Sequence, residues 1–238
     1  MDCATIQQAA LTFLWHETCA HCREDLSGSR LGPLCAGCRL TLASSEPPYC
    51  ARCCEPTDRP LCPRCEGKPF ACRAIRASHL YRDAAVSLVH SFKFRGRRSA
   101  ARAAGELMGR AFSRFPELSP AQALVPMPLH PRRRRERGYN QARLIAEALS
   151  DWTGLPVWDV VARTRSTNPL WALGRDARAN ALAGAFTASP AVEGARLLIV
   201  DDVCTSGASL EECARSLRAA GAAWVGGFVF ARQWQPLS

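Results

Sequence analysis

The sequence predicts an α/β fold: a mostly parallel sheet flanked by helices, preceded by a small cysteine-rich module. Three features predict it. Leu197, Leu198, Ile199 and Val200 form a continuous apolar run, the mark of a strand buried on both faces of a parallel sheet. Segments of strand and helix character alternate from residue 121 onward, which calls for right-handed crossovers between parallel strands. Four C-x-x-C pairs crowd residues 19–65, ahead of that alternation.

In chain order, residues 1–17 read as a short amphipathic helix with Ile6, Ala9, Ala10, Phe13 and Leu14 on one face. The cysteine pairs follow: Cys19/Cys22, Cys35/Cys38, Cys50/Cys53 and Cys62/Cys65. Each pair can turn two thiolates toward one ion, and a tetrahedral Zn²⁺ needs four. Sequential pairing gives one site from Cys19, Cys22, Cys35 and Cys38 and a second from Cys50, Cys53, Cys62 and Cys65; the spacing leaves interleaved pairing open. Structural zinc is the expected occupant and an iron–sulfur cluster its competitor. The segment has few large apolar residues, so metal is expected to supply much of its folding energy. A change of composition at residues 66–70 divides the chain into 1–70, the N-terminal helix and cysteine module, and 71–238, the α/β domain.

Residues 74–81 have strand character and 83–92 helical character, ending in the basic loop 91–98. Residues 100–115 read as a helix with Leu107, Met108, Ala111 and Phe115 on one face. Ala123, Leu124 and Val125 form a short strand that Pro126 and Pro128 stop. The run 129–141 reads as a basic loop, and Leu144, Ile145, Ala148, Leu149 and Trp152 mark the helix after it. Residues 157–162 form another expected strand. The polar connection after it is longer than an ordinary turn, as lids and binding loops are. A helix over 210–220 and a strand over 225–230 close the chain.

Charge is concentrated. Residues 91–143 hold thirteen Lys and Arg against three acids, an excess equal to the formal net charge of +10. A localised basic region calls for a polyanionic partner or substrate. Hydrophobic residues make up 47% of the chain, enough for a core and against wholesale disorder. No apolar run approaches the roughly 20 residues of a membrane helix. With no basic leader before an apolar stretch, and with cysteines in metal-binding spacing, the chain is expected to be cytoplasmic and not inserted in a membrane.

The chemistry gathers after the apolar run at 197–200. Asp201 and Asp202 come first, then Val203, Cys204, Thr205, Ser206, Gly207, Ala208 and Ser209, then the helix. A strand, a tight hydroxyl-rich turn and a helix N-terminus make an anion site, because free N–H groups and the positive end of the helix dipole meet there. Gly207 supplies torsions that other residues avoid. Two adjacent carboxylates would repel a phosphate unless they meet sugar hydroxyls or a divalent metal. A ligand with a 5-phosphate and a vicinal diol satisfies both halves. The lysine of a nucleotide P-loop is missing, and so is G-x-G-x-x-G.

This string resembles the phosphoribosyl pyrophosphate (PRPP) loop of type I phosphoribosyltransferases, and the whole chain resembles the ComF family. The family's V-P-x-P-L segment running to R-G-[FY]-N-Q is matched by residues 125–141, its R-x-x-x-T lid by 163–167, and its V-D-D-V-x-T-[TS]-G loop by 200–207. The lid departs from the family: Leu170 stands where Gln is usual, and Asn180 is shifted by one. The resemblance implies a type I phosphoribosyltransferase-like fold with an N-terminal double zinc ribbon. It implies that residues Asp201, Asp202, Val203, Cys204, Thr205, Ser206, Gly207, Ala208 and Ser209 bind PRPP, Asp201 and Asp202 taking the ribose diol and Thr205 to Ser209 the phosphate, and that Mg²⁺ accompanies the pyrophosphate. Arg134, Arg135 and Arg137, with Tyr139, would hold pyrophosphate or DNA, and Arg163, Arg165 and Arg178 belong to the lid. It also implies a link to DNA uptake in natural transformation, with single-stranded DNA and competence helicase-type proteins as partners. A phosphoribosyl transfer through an oxocarbenium-like state, a non-catalytic DNA-handling module with Phe92, Phe94 and Tyr139 stacking on bases, and a PRPP-sensing regulator all fit this reading. No general base is evident.

Overall fold

The structure, a computed structural model, describes residues 17–26, 32–165 and 181–234. The expected helix over 1–17, all but its last residue, lies outside them, as does Arg178 of the lid.

The cysteine-rich segment folds as two similar knuckle units. In the first, Thr18 bridges Asp25 and the Cys19 N–H donates to the Glu24 carbonyl at 2.7 Å. In the second, Tyr49 bridges Pro56 and the Cys50 N–H donates to the Glu55 carbonyl at 2.8 Å. The residue after each first pair, Arg23 and Cys54, takes a positive φ to close the knuckle. Helix α1 (Ala36–Leu40) starts at Cys35, whose sulfur accepts the Cys38 N–H. The units are packed onto the rest of the chain. Leu26, Leu34 and Cys38 share a core with Leu88 and Phe92, and the Arg52 carbonyl accepts from the Ile75 N–H at 2.6 Å.

Beyond them come β1 (Ile75–Leu80), α2 (Asp83–Phe94), α3 (Arg98–Ala111), β2 (Ala123–Pro126), α4 (Pro131–Arg137) and α5 (Gln141–Thr153). Then follow β3 (Val161–Arg163), β4 (Phe186–Ala188), β5 (Arg196–Cys204), α6 (Ala208–Ala219) and β6 (Trp224–Arg232). The main sheet has four parallel strands in the order β1-β6-β5-β2; β3 and β4 form a separate antiparallel pair. The parallel sheet is as expected.

Alternation along β5 divides the core. Leu198 and Val200 face α2, α3 and α5, while Leu197 and Ile199 face α6. Four residues of β2 pair with 197–200, and there the prolines end the ladder. On the other side β6 pairs with β5 as far as Cys204. The last four residues of β5 therefore lack a neighbour on one edge, and a cleft opens beside them.

Three local expectations need correction. The strand at 197 does not end at Val200: backbone pairing with β6 carries it through both aspartates to Cys204, where an apolar count stops at the first charge. The basic run is not a loop. Residues 131–137 form α4, whose N–H at Arg132 is accepted by His130 Nδ1 at 3.3 Å, with Pro131 in the first turn. The strand expected at 157–162 is a single bridge from Val157 to Leu124 followed by the three residues of β3.

Candidate functional site

The alternation of β5 sends its two aspartates to opposite faces. Asp202 follows Leu198 and Val200 onto the face covered by α2 and α5, and it is only 3% exposed. A carboxylate there needs a counter-charge and donors. Lys93, in the last turn of α2, places its Nζ 2.6 Å from Oδ1. Gln141, the first residue of α5, donates its Nε2–H to Oδ2 at 2.8 Å. The Gln141 Oε1 in turn accepts from Arg137, so a polar chain runs Lys93–Asp202–Gln141–Arg137. Asn140 fixes the start of α5: its side chain accepts the Ala142 N–H at 3.0 Å and donates to the Met127 carbonyl at 3.1 Å.

Asp201 points to the opposite face. Its Oδ1 accepts the N–H of Asp202 at 2.8 Å. Burial first, and then the charge of Asp202, push its carboxyl up to about 7; Lys93 and Arg163 oppose the shift. Burial lowers the guanidinium pKa of Arg137, with the charge of Asp202 opposing, and that of Arg163, with the charge of Asp201 opposing.

Both aspartates line a cleft of about 630 Å³. Its wall carries five cations, Lys93, Arg132, Arg133, Arg137 and Arg163, against the carboxylates of Glu136, Asp201 and Asp202. His130, Val203 and Ser209 also line it. So does Phe94, at 70% exposure the open aromatic of the rim. Next to Asp201 and Asp202, Gly207 at φ +80° starts the twelve-residue α6, in a backbone conformation that side chains rarely adopt. The turn 205–207 sets Ser206 Oγ 3.4 Å from the Ala208 N–H. This assembly presents carboxylates beside guanidinium groups and a helix start, the two halves a phosphorylated sugar needs.

The expected site residues divide. Asp201, Asp202, Val203, Ser209, Arg137 and Arg163 meet at the cleft. Cys204, Thr205, Ser206, Gly207 and Ala208 join Val203 to Ser209 in the same segment; Cys204 is buried and the four after it are half-buried. Arg134 and Arg135 are exposed on α4 outside the lining; their neighbours Arg132 and Arg133 take the wall. Tyr139 is turned inward: its hydroxyl donates to the Phe92 carbonyl and Arg98 stands 5.1 Å from its ring centre. Phe92 is fully buried, so of the three aromatics expected to stack, only Phe94 is open. Arg165 donates to the Ala183 carbonyl at 2.7 Å. Lys93 and Gln141 hold the site without having been singled out. Each lies within a recognised segment, but the pairing of Gln141 with Asp202 spans 61 positions and leaves no periodic trace.

The cysteines group sequentially. The sulfurs of Cys19, Cys22, Cys35 and Cys38 lie within 4.8 Å of one another, and so do those of Cys50, Cys53, Cys62 and Cys65. Cys22 and Cys35 are 3.7 Å apart, as are Cys53 and Cys62. A tetrahedral ion with sulfur ligands at about 2.3 Å spaces them roughly 3.8 Å apart. Each group thus fits one ion rather than a multi-iron cluster. The second group is joined to the cleft strand. Arg232, fully buried on β6, donates to Cys204 Sγ at 2.7 Å, pairs with Glu55 and reaches Cys53 Sγ at 3.9 Å.

The phosphoribosyl transferase domain family matches residues 137–236, which span α5 to β6. Competence protein F of Haemophilus influenzae is 30% identical over 213 residues, 85% of this chain and 91% of that protein. The DNA utilization protein YhgH of Escherichia coli K12 is 32% identical over 213 residues, 81% of this chain and 93% of that one. Competence protein ComFC of Bacillus subtilis is 29% identical over 208 residues, 84% of each chain. Among the described residues no helix is long and apolar enough to cross a membrane.

The raised carboxyl of Asp201 gives a pH test. An unfolded Asp ionises near 3.8, and this one stays protonated to about 7. Its contribution to stability is complete at low pH and is lost as pH rises through 7. Asp201→Asn, which removes the titration, therefore gains on the wild type between pH 4 and pH 8, by on the order of 4 kcal/mol. Urea unfolding of both proteins at several pH values measures this, and a difference that does not change with pH contradicts it.

Proposed function

The chain belongs to the ComF family, and on that premise we propose that it binds PRPP in the β5 cleft and serves DNA uptake or utilization. One observation carries the PRPP reading. Asp201 and Asp202 stand at the end of a parallel strand in the wall of a cleft with five cations, beside a glycine-started helix. The carboxylates suit the vicinal diol, and the helix start with Ser209 suits the 5-phosphate. Arg132, Arg133 and Arg137 suit the pyrophosphate, and Mg²⁺, when bound, would neutralise part of its charge. Lys93 and Gln141 hold Asp202 in place before the ligand arrives.

The two Cys₄ groups suit structural Zn²⁺, on donor type and spacing. Eight of the twelve described cysteines make up these two groups, and metal-binding spacing of this kind suits a cytoplasmic protein. Handling of single-stranded DNA is supported by a separate observation, the exposed Phe94 on a rim with Arg132 and Arg133, where a base could stack while its phosphate meets a guanidinium. The names of the relatives, competence and DNA utilization proteins, agree with it.

Isothermal titration with PRPP and Mg²⁺ tests the main reading. Wild-type protein should bind below millimolar concentration, and Asp201→Asn at least tenfold more weakly, about 1.4 kcal/mol. No wild-type binding, or equal affinity in the variant, rejects it. Elemental analysis tests the metal reading: about two zinc ions per chain are expected, falling by one in Cys53→Ser. Iron, or no metal, in freshly purified protein overturns it.

A further inference from the structure

A second cavity, of about 230 Å³, opens at the other end of the sheet, where β6 begins and the chain enters β1. Three arginines line it from three separate elements: Arg52 from the second cysteine knuckle, Arg73 from the approach to β1, and Arg218 from α6. Two aromatic rings, Phe70 and Trp224, complete the wall, and no carboxylate is among its described lining residues.

The charges are open. Among the described residues, neither Arg52 nor Arg73 pairs with an acid; Arg52 instead stands 4.9 Å from the centre of the Phe70 ring. Arg218 turns one nitrogen to the Ala222 carbonyl, at 2.5 Å, and to that of Ala223. Two acids of the adjoining elements are engaged elsewhere. Glu211 accepts the backbone N–H groups of Ala71 and Cys72, and Glu55 pairs with Arg232 and Arg64. The Trp224 ring is seated by Gly226, where a Cβ would come within 2.3 Å of its Cη2.

Three guanidinium groups converging without an acid call for an anion with several oxygens, and phosphate is the geometric match. Phe70, with Arg52 over its ring, and Trp224, packed on Gly226, give the wall an aromatic surface that suits a flat partner. The volume falls below the usual range for cofactor sites, about 300–1,000 Å³, and suits one base with its phosphate. We propose that this cavity is a nucleotide-binding site separate from the β5 cleft, taking a base against Phe70 and Trp224 and its phosphate among Arg52, Arg73 and Arg218. The nucleotide is either a free nucleoside monophosphate or one unit of a single strand. The site shares no residue with the β5 cleft, so the fate of the PRPP reading does not decide it.

The test titrates the full-length protein with dAMP, a short oligo(dT), inorganic phosphate and PRPP, using wild type and Arg73→Glu. Arg73 is exposed, so the variant is expected to fold. The wild type should bind dAMP or the oligonucleotide more than tenfold tighter than inorganic phosphate. Arg73→Glu should lose at least tenfold of that affinity and keep its affinity for PRPP. A strand substituted with 5-iodouracil should cross-link under ultraviolet light to the peptide carrying Phe70 or Trp224. Tighter binding of the oligonucleotide names the strand as the source, and equal affinity of dAMP names the free nucleotide. Phosphate binding as well as dAMP, full nucleotide affinity in Arg73→Glu, or cross-links confined to the β5 cleft overturn the assignment.

Discussion

The ion pair between Asp202 and Lys93 is the constraint around which the rest is arranged. A carboxylate this deeply buried costs several kcal/mol unless a charge and hydrogen-bond donors meet it. Lys93 and Gln141 meet it, so the end of α2 and the start of α5 are bound to the end of β5. Those two helix ends form the floor of the cleft and bring Arg137 into it through Gln141. Asp201, the preceding residue but on the other face, has no comparable partner among the described residues and holds its proton up to about 7. Two adjacent, chemically identical residues therefore differ in setting: Asp202 is fixed by Lys93 and Gln141, and Asp201 faces the cleft from the other side of the strand.

A second buried contact binds the cysteine module to the same strand. Arg232 is enclosed by Glu55, Cys53 and Cys204, the last at the end of β5. Removing Glu55 would leave an unpaired buried guanidinium, the kind of change that typically costs 3–5 kcal/mol, about what a marginal domain can lose. The second cysteine knuckle is thus part of the support beneath the segment that turns into α6. Order in one should depend on order in the other, because the Arg232 guanidinium contacts Glu55 and Cys204 at once.

Much of this was legible in the sequence, for identifiable reasons. The run Leu197 to Val200 and the alternating strand and helix segments report burial directly, so the parallel sheet could be read from them. The cysteine spacing fixes knuckles, while the choice between sequential and interleaved pairing needed coordinates. The end of β5 was misjudged because Asp201 and Asp202 break the apolar run although backbone pairing with β6 continues. Helix α4 was hidden because a run of arginines has no apolar face to reveal its period, and its cap, His130, is not among the common capping residues. Tyr139 looked like a surface aromatic among charges; its hydroxyl finds a carbonyl on α2, a partner 47 positions away. Long-range polar partners such as Lys93 for Asp202 are chosen by the fold, and local pattern does not carry them.

The central claim is that the end of β5 and the turn into α6 clasp a diol and a phosphate, with Lys93 and Gln141 holding one carboxylate ready. Amide hydrogen exchange across the chain, measured with and without PRPP and Mg²⁺, tests it most directly. The account predicts slowed exchange in residues 201–210 and at the start of α5, with little change around Phe70 and Trp224. Slowing elsewhere with residues 201–210 unaffected would contradict it.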